Sequence, residues 1–161
     1  REMKILVISD THGRDRRMER VLKKELPVDQ VIHCGDVEGR DGYLRRLVPG
    51  PCCIVGGNCD YDPKLPPWVA FNLAGHRFVV THGHRQSVNF GMGPLLNLAR
   101  ENQADVVCFG HTHRPVFEQR EGIWLCNPGS LTFPRQEGRA FTYLILEADQ
   151  NGVRGEIREA E

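Results

Sequence analysis

The chain has 161 residues, with 21 Lys or Arg balanced by 21 Asp or Glu, so its formal charge is zero. A chain of this length hides roughly 70% of its unfolded surface on folding, enough for one real core and little more. The charge balance excludes a general nucleic-acid binder, which needs a basic excess, and a polyanionic disordered segment.

Arg1-Glu2, ahead of Met3, reads as a trimmed end and is set aside, which leaves one expected domain over residues 3–161. The apolar run Ile5–Ile8 is too short for a membrane span or a signal peptide, so no membrane association is expected. Lys4–Ser9 as a whole is a continuous apolar run, the pattern of a strand buried on both faces. From Arg14 to Leu26, Met18, Val21, Leu22 and Leu26 recur at helical spacing, and Pro27 ends the pattern. Gln30–Cys34 reads as a second strand, Tyr43–Val48 as a short helix, and Pro51–Val55 as a third strand stopped by Gly56-Gly57. After a Pro-rich loop over Asp62–Pro67, Trp68–Leu73 and Arg77–Thr81 flank Ala74-Gly75 as a hairpin. Leu95–Asn102 is helical and Val106–Phe109 a strand; Pro115–Gln119, Ile123–Cys126 and Ala140–Glu147 follow as strands without helices between them. This order predicts an α/β domain: strand–helix–strand units first, then a mainly antiparallel part, packed as two sheets with helices outside.

Six cysteines occur without any CxxC pair, and Cys34, Cys53 and Cys108 sit inside apolar runs. They read as small core hydrophobes of a reducing compartment, with the cytoplasm as the expected location. The polar residues carry more information. Five strands end in short turns: Asp10-Thr11-His12-Gly13, Gly35-Asp36, Gly57-Asn58, Thr81-His82-Gly83-His84 and Gly110-His111-Thr112-His113. Ligands of open α/β sheets bind in the crevice outside the carboxyl ends of the strands, so these turns are expected to converge.

Asp, His and Asn are oxygen and nitrogen donors suited to hard or borderline divalent cations. Asp10-x-His12 offers a carboxylate and an imidazole. His111-x-His113 offers two imidazoles that, on an extended turn, point apart toward different ions. Asp36 can bridge two ions through its two oxygens, Asn58 supplies a neutral carbonyl, and His82 a further nitrogen. Two ions about 3.5–4 Å apart form the clamp used for in-line displacement at phosphorus, activating a water and neutralising the transferring group. A closed structural site is excluded by the absence of thiolate among these donors. Each motif alone is weak; five in order are strong.

The series D-x-H, G-D, G-N, H and G-H-x-H resembles the calcineurin-like metallophosphoesterase superfamily. Gly57-Asn58-Cys59-Asp60, Thr81-His82-Gly83-His84, Asn127-Pro128-Gly129-Ser130 and the compact length resemble its small YfcE-type phosphodiesterase branch, from Met3 to about Glu147. The resemblance implies a four-layer α/β/β/α sandwich of two mixed sheets flanked by helices, with both metals at one edge. It implies Asp10, His12, Asp36 and His113 on one ion, and Asp36, Asn58, His82 and His111 on the other. Manganese is the first expectation for both, with Ni, Fe, Co or Zn as alternatives. The expected partner is a small phosphoester, and a homo-oligomer stays open. A phosphomonoesterase of the same architecture and a non-catalytic scaffold like the retromer coat subunit are the alternatives.

Two departures from the family pattern stand out. Cys59 occupies the position where many relatives carry a histidine that contacts phosphate and protonates the leaving group; His84 or water is the substitute. Val37-Glu38-Gly39-Arg40 lacks the Asp-Arg-Gly of larger phosphatases, which argues against protein phosphatase activity. The catalytic set is therefore Asp36, Asn58 and His84. His33 reads as structural, His76 as a surface residue, and Arg14, Arg16, Arg17 and Arg20 as a solvated helix face. Nothing in the sequence places Arg85, Arg135 or the Asn127–Ser130 turn.

Overall fold

The computed structural model describes residues 1–161. Thirteen main elements follow in chain order: β1 (Met3–Ile8), α1 (Arg16–Glu25), β2 (Gln30–His33), α2 (Asp41–Leu47), β3 (Cys52–Ile54), β4 (Trp68–Leu73), β5 (His76–Thr81), α3 (Gly93–Glu101), β6 (Val106–Cys108), β7 (Val116–Arg120), β8 (Ile123–Asn127), β9 (Thr142–Asp149) and β10 (Gly152–Glu159). Two short 3-10 turns, His84–Gln86 and Val88–Phe90, lie between β5 and α3.

The strands form two five-stranded mixed sheets, ordered β10-β9-β1-β2-β3 and β4-β5-β6-β8-β7. Alternation along β1 explains the layering. Ile5 and Val7 point between the sheets, where they meet Phe78, Val80, Val106 and Cys108. Leu6 and Ile8 point the other way, against Met18, Val21 and Leu22 of α1 and Leu44 of α2. On the far side, Val79 and Val107 pack against Leu95, Leu96 and Ala99 of α3. The result is the four-layer α/β/β/α sandwich implied by the resemblance.

The second half is less antiparallel than the pattern of strands predicts. Only β4–β5 and β7–β8 pair antiparallel in the second sheet; β5–β6 and β6–β8 are parallel. The α3 crossover joins β5 to β6, and the β7–β8 hairpin returns β8 beside β6 in the same direction. The last strands leave that sheet altogether: β9 runs antiparallel to β1, and β10 pairs with β9 over eight residues. The sequence reading missed β10 because it is a charged edge strand in which Val153 alone is buried.

His76 is not the surface residue expected from its place after the hairpin turn. Its side chain is 11% exposed. Nδ1 lies 2.6 Å from Asp105 Oδ2, and Nε2 lies 2.7 Å from the Asp149 carbonyl, which ties the second sheet to the β9–β10 turn of the first. Burial lowers its pKa, but the Asp105 hydrogen bond and the Asp149 carbonyl more than compensate, so the net shift is upward. A raised folded pKa stabilises below the unfolded value near 6.5, and that stability is lost as pH rises through the folded pKa. His76→Ala is expected to cost about 1–2 kcal/mol at pH 6. The deficit against wild type should shrink at higher pH in urea unfolding; a deficit independent of pH would show that the charged pair contributes nothing.

Candidate metal centre

Parallel strands of one sheet present their carboxyl ends on one edge. β1, β2 and β3 are mutually parallel, as are β5, β6 and β8, and the loops after all six meet where the two sheets face each other. Asp10 and His12 follow β1, Asp36 follows β2, Asn58 follows β3, His82 and His84 follow β5, and His111 and His113 follow β6. All eight residues named from sequence therefore gather at one site.

Two groups of donors appear. In the first, His113 Nε2 is 3.1 Å and His12 Nε2 3.7 Å from Asp10 Oδ1, and the two imidazole nitrogens are 3.3 Å apart. In the second, His82 Nε2 is 3.2 Å from Asp36 Oδ2, and His111 Nδ1 is 3.1 Å from Asn58 Oδ1. Asp36 Oδ2 also lies 3.8 Å from His12 Nε2, between the groups. One expectation changes here. Asp36 does not offer both oxygens, because Oδ1 accepts the Cys59 N–H at 2.8 Å; Oδ2 alone faces both groups. Asp10 Oδ1 is likewise 3.7 Å from His82 Nε2, so it too borders the second group.

Asp10, Asp36, His82 and His113 are buried, His12 and His111 are half-buried, and Asn58 is exposed at the mouth. Asp10 Oδ1 and His82 Nε2 are enclosed and have no hydrogen-bond partner. A buried polar atom left without a partner costs about 1–3 kcal/mol, and two of them aimed into one cluster fit a cation. The ring orientations agree. His82 Nδ1–H donates to the Cys34 carbonyl at 2.7 Å and His113 Nδ1–H to the Phe133 carbonyl at 2.6 Å, which turns both Nε2 atoms toward the carboxylates.

Electrostatics reinforce this. Burial pushes the Asp10 carboxyl up, but the close approach of the His113 imidazole and the charges of His82 and His113 outweigh it, and the net shift is downward. Asp36 behaves the same way, with His82 and the Cys59 N–H holding it ionised. Burial lowers His111 and His84, each helped by the charge of His82, which favours neutral imidazoles.

Five donors take a backbone conformation that L-residues rarely adopt: Asp10, His12, Asp36, His111 and His113 have φ between 50° and 70°. Each such residue stores of order 1 kcal/mol or more of strain, tolerated where surrounding bonds over-determine it. The His111–His113 turn is therefore not extended, although its two imidazoles do serve different groups. Glycine acts instead through close approach. A Cβ on Gly57 would fall 2.7 Å from Asp36 N, and one on Gly110 2.6 Å from Asp10 Oδ2.

The residues that hold the donors are those that sequence reasoning missed. The Asp60 carboxylate accepts N–H groups from Asp36 at 2.7 Å, Val37 at 3.3 Å, Glu38 at 2.7 Å and Gly57 at 2.8 Å, stapling the Asp36 loop to the Asn58 loop. Its signal was an Asp two residues past a Gly-Asn turn, where such side chains bind nearby backbone. Ser9 Oγ and the His111 N–H satisfy Asp10 Oδ2 at 2.6 and 3.1 Å. Ser130 Oγ and Thr132 Oγ1 donate to the Asp10 carbonyl, and Asn127 Nδ2 to that of Gly110, which gives the Asn127–Ser130 turn its role. His33 is structural as expected: it accepts from the Gly35 N–H, contacts Thr11 Oγ1 at 2.9 Å, and burial lowers its pKa to about 4.

His84 opens the first 3-10 turn, with its ring centroid 5.4 Å from that of His82 and 6.1 Å from that of His111. Its Nδ1 is buried without a partner. Cys59, with His12 and Glu38, forms a third cluster of donors within 4.8 Å of one another. Burial, followed by the Asp36 and Glu38 carboxylates, pushes its thiol up to about 11.

Residues 3–151 match the family model of the calcineurin-like phosphoesterase superfamily domain. The chain belongs to this superfamily. It is 34% identical over 154 residues to the probable metallophosphoesterase YsnB of Bacillus subtilis, covering 94% of this chain and 89% of YsnB. It is equally 34% identical over 171 residues to the phosphodiesterase YfcE of Escherichia coli K12, covering 91% and 89%. Among solved structures, a predicted phosphoesterase from Streptococcus pneumoniae superposes with a TM-score of 0.88 at 30% identity, covering 99% of this chain and 90% of that one. Vps29 of Entamoeba histolytica, solved with zinc, shares the fold with a TM-score of 0.77 at 19% identity, covering 98% and 99%. The family is metal-dependent and acts on phosphoesters, and the donor groups above suit that chemistry. No helix is long and apolar enough to cross a membrane.

Asp60→Ala is expected to lower stability by about 2 kcal/mol, a Tm drop of about 4–8 °C, since four N–H groups lose their acceptor. Its affinity for Mn²⁺ in calorimetric titration should fall about 10–100-fold. An unchanged Tm together with unchanged affinity would show that the staple holds nothing.

Proposed function

We propose that this protein is a phosphodiesterase that hydrolyses a small phosphodiester using two divalent cations. The observation that carries the reading is the convergence of seven donors from five strand ends around two enclosed atoms without partners, Asp10 Oδ1 and His82 Nε2. One cation would take Asp10, His12, Asp36 and His113; the other would take Asp36, Asn58, His82 and His111. When bound, such a pair activates water at neutral pH and neutralises the phosphoryl oxygens. Manganese is our first assignment, and mixed nitrogen and oxygen donors equally accommodate Ni, Fe, Co or Zn.

The chain's own residues supply the rest. Asp36 keeps Oδ2 free for both cations because Cys59 N–H occupies its other oxygen. Asn58, exposed at the mouth, would meet the incoming phosphate as well as a cation. His84 stands beside His82 and His111 of the second group without belonging to it, so we assign it contact with the leaving group, the role left open by Cys59. The YfcE relationship favours a diester over a monoester. The Vps29 likeness favours a protein-binding scaffold as the second reading; against it stands the complete donor set, which a scaffold has no need to retain.

We read residues 3–161 as one domain, supported by the eight-residue pairing of β10 with β9 beyond the matched segment. Six free cysteines support a cytoplasmic location.

Stripping the protein and adding back each divalent ion against mono-, di- and cyclic phosphoesters should reveal turnover of bis(4-nitrophenyl) phosphate. Silence with every ion would favour the scaffold. Asp36→Asn should reduce that turnover to background with an unchanged circular dichroism spectrum; full activity would sink the shared-ligand assignment. His84→Ala should slow diesters with alkyl leaving groups by roughly 10²-fold and 4-nitrophenyl esters much less. An equal loss across leaving groups would reassign His84 to positioning.

A further inference from the structure

The wall beside the first donor group is built from more than ligands. The loop from Thr132 to Phe141 is fastened to His113 twice: His113 Nδ1–H donates to the Phe133 carbonyl at 2.6 Å, and the Arg135 N–H donates to the His113 carbonyl at 3.1 Å. The loop is closed on itself by Gln136 Nε2 to the Ala140 carbonyl at 2.8 Å and Arg139 N–H to the Gln136 carbonyl at 3.0 Å. Together with His12 and His113 it walls a groove of about 550 Å³ that carries Arg135, Arg139 and Phe133. A second hollow of about 520 Å³ has Arg135 in its own wall and adds Arg114. The backbone of Arg135 is thus fixed relative to a residue of the candidate metal centre, and the residue lines both hollows.

None of Arg114, Arg135 and Arg139 has a carboxylate within 4.0 Å, whereas Arg100, Arg120, Arg154 and Arg158 are each paired with one. Behind the groove, the Arg14 guanidinium carbon lies 4.9 Å from the Phe133 ring centroid, and that of Arg17 lies 3.5 Å from the Phe141 centroid; neither has an acidic partner. Arg17, expected on a solvated helix face, is half-buried against Phe141, while Arg14 is exposed as expected and also lies over Phe133. In an electroneutral chain, this leaves guanidinium groups without a direct carboxylate partner around one groove that opens on the candidate catalytic centre. Arginine forks match the oxygens of a phosphate, and a group with nearly two negative charges occupies two of them where a single carboxylate needs one.

We propose that this groove is a subsite for a second, non-scissile phosphate, held by Arg135 and Arg139. The preferred substrate is then a phosphodiester that already bears a terminal phosphate. The inference deepens the phosphodiesterase reading and rests on it for the scissile bond. It also gives this site a means of selecting among diesters.

The test compares kcat/KM, with Mn²⁺ supplied, for dithymidine monophosphate and its 5′-phosphorylated form, and for a propanediol-linked diester with and without a terminal phosphate. A preference of roughly tenfold or more for the phosphorylated member is expected, and its ratio should fall to about one in the Arg135→Gln/Arg139→Gln variant. Preference in both series supports recognition of phosphate on any carrier; preference in the nucleotide series alone supports a phosphate presented by a nucleoside. Equal rates in both series, or a preference that survives the double substitution, overturns the subsite. Calorimetry supplies a readout without turnover: thymidine 3′,5′-bisphosphate should bind roughly tenfold tighter than thymidine 5′-monophosphate to wild type, and equally to the variant. If that difference stands while no diester is hydrolysed with any cation, the catalytic reading fails and the anion subsite survives. If hydrolysis stands and the difference is absent, the subsite alone fails.

Discussion

The buried carboxylate of Asp10 is the constraint around which the rest of the site is arranged. It is fully enclosed, and a charge in such a place demands compensation. One oxygen is satisfied by Ser9 Oγ and the His111 N–H; the other meets only imidazole nitrogens at 3.1 to 3.7 Å. Its backbone carbonyl is claimed by Ser130 and Thr132, and its N–H by the Gly35 carbonyl. Contacts from β1, β2, β6 and the loop after β8 thus end on one residue. Removing any of them would leave a buried polar group exposed to nothing, which is why the two sheets meet at this edge in a single arrangement.

That arrangement is strained, and the strain sits in the donors themselves. Five of them hold left-handed backbone, and Gly57 and Gly110 allow neighbouring loops to come closer than any side chain would permit. The compensation comes from ordinary bonds nearby. Asp60 alone anchors four N–H groups, and three large apolar clusters fix the strands whose ends present the loops. A scaffold this well packed supplies the rigidity on which a cluster of convergent carboxylates and imidazoles depends.

The zero net charge conceals a division of labour. Arg100, Arg120 and Arg158 are paired with carboxylates, while Arg135 and Arg139 of the Thr132–Phe141 loop line the groove without one, and Arg14 and Arg17 stack on Phe133 and Phe141 behind it. The acidic and imidazole donors of the centre and the guanidinium groups beside it are therefore complementary: one set is suited to cations, the other to the anion that cations would bring.

Much of this was written in the sequence because the physics there is local. The run Lys4–Ser9 has to be a doubly buried strand, the spacing of Met18, Val21 and Leu22 has to be an amphipathic helix, and Asp, His and Asn beside glycine at five strand ends have to be donors of one chemical class. The errors have a common cause in contacts between distant segments. The pairing of β5, β6 and β8 as parallel strands depends on which connection crosses over, and the charged strand β10 is defined only by its partner β9. His76 looked like a turn residue until Asp105 and Asp149 arrived from far along the chain. Arg135 carried no periodicity or motif that marked it, and the turn that contains Asp60 did not say which backbone its carboxylate would bind. The sequence by itself determined the strands, the helices and the donor chemistry, since these follow from side-chain type and short-range spacing. Only the tertiary structure decided which oxygen of Asp36 stays free, which residues staple the loops and which arginines line the groove, because those depend on distances between segments in places separated by 122 residues.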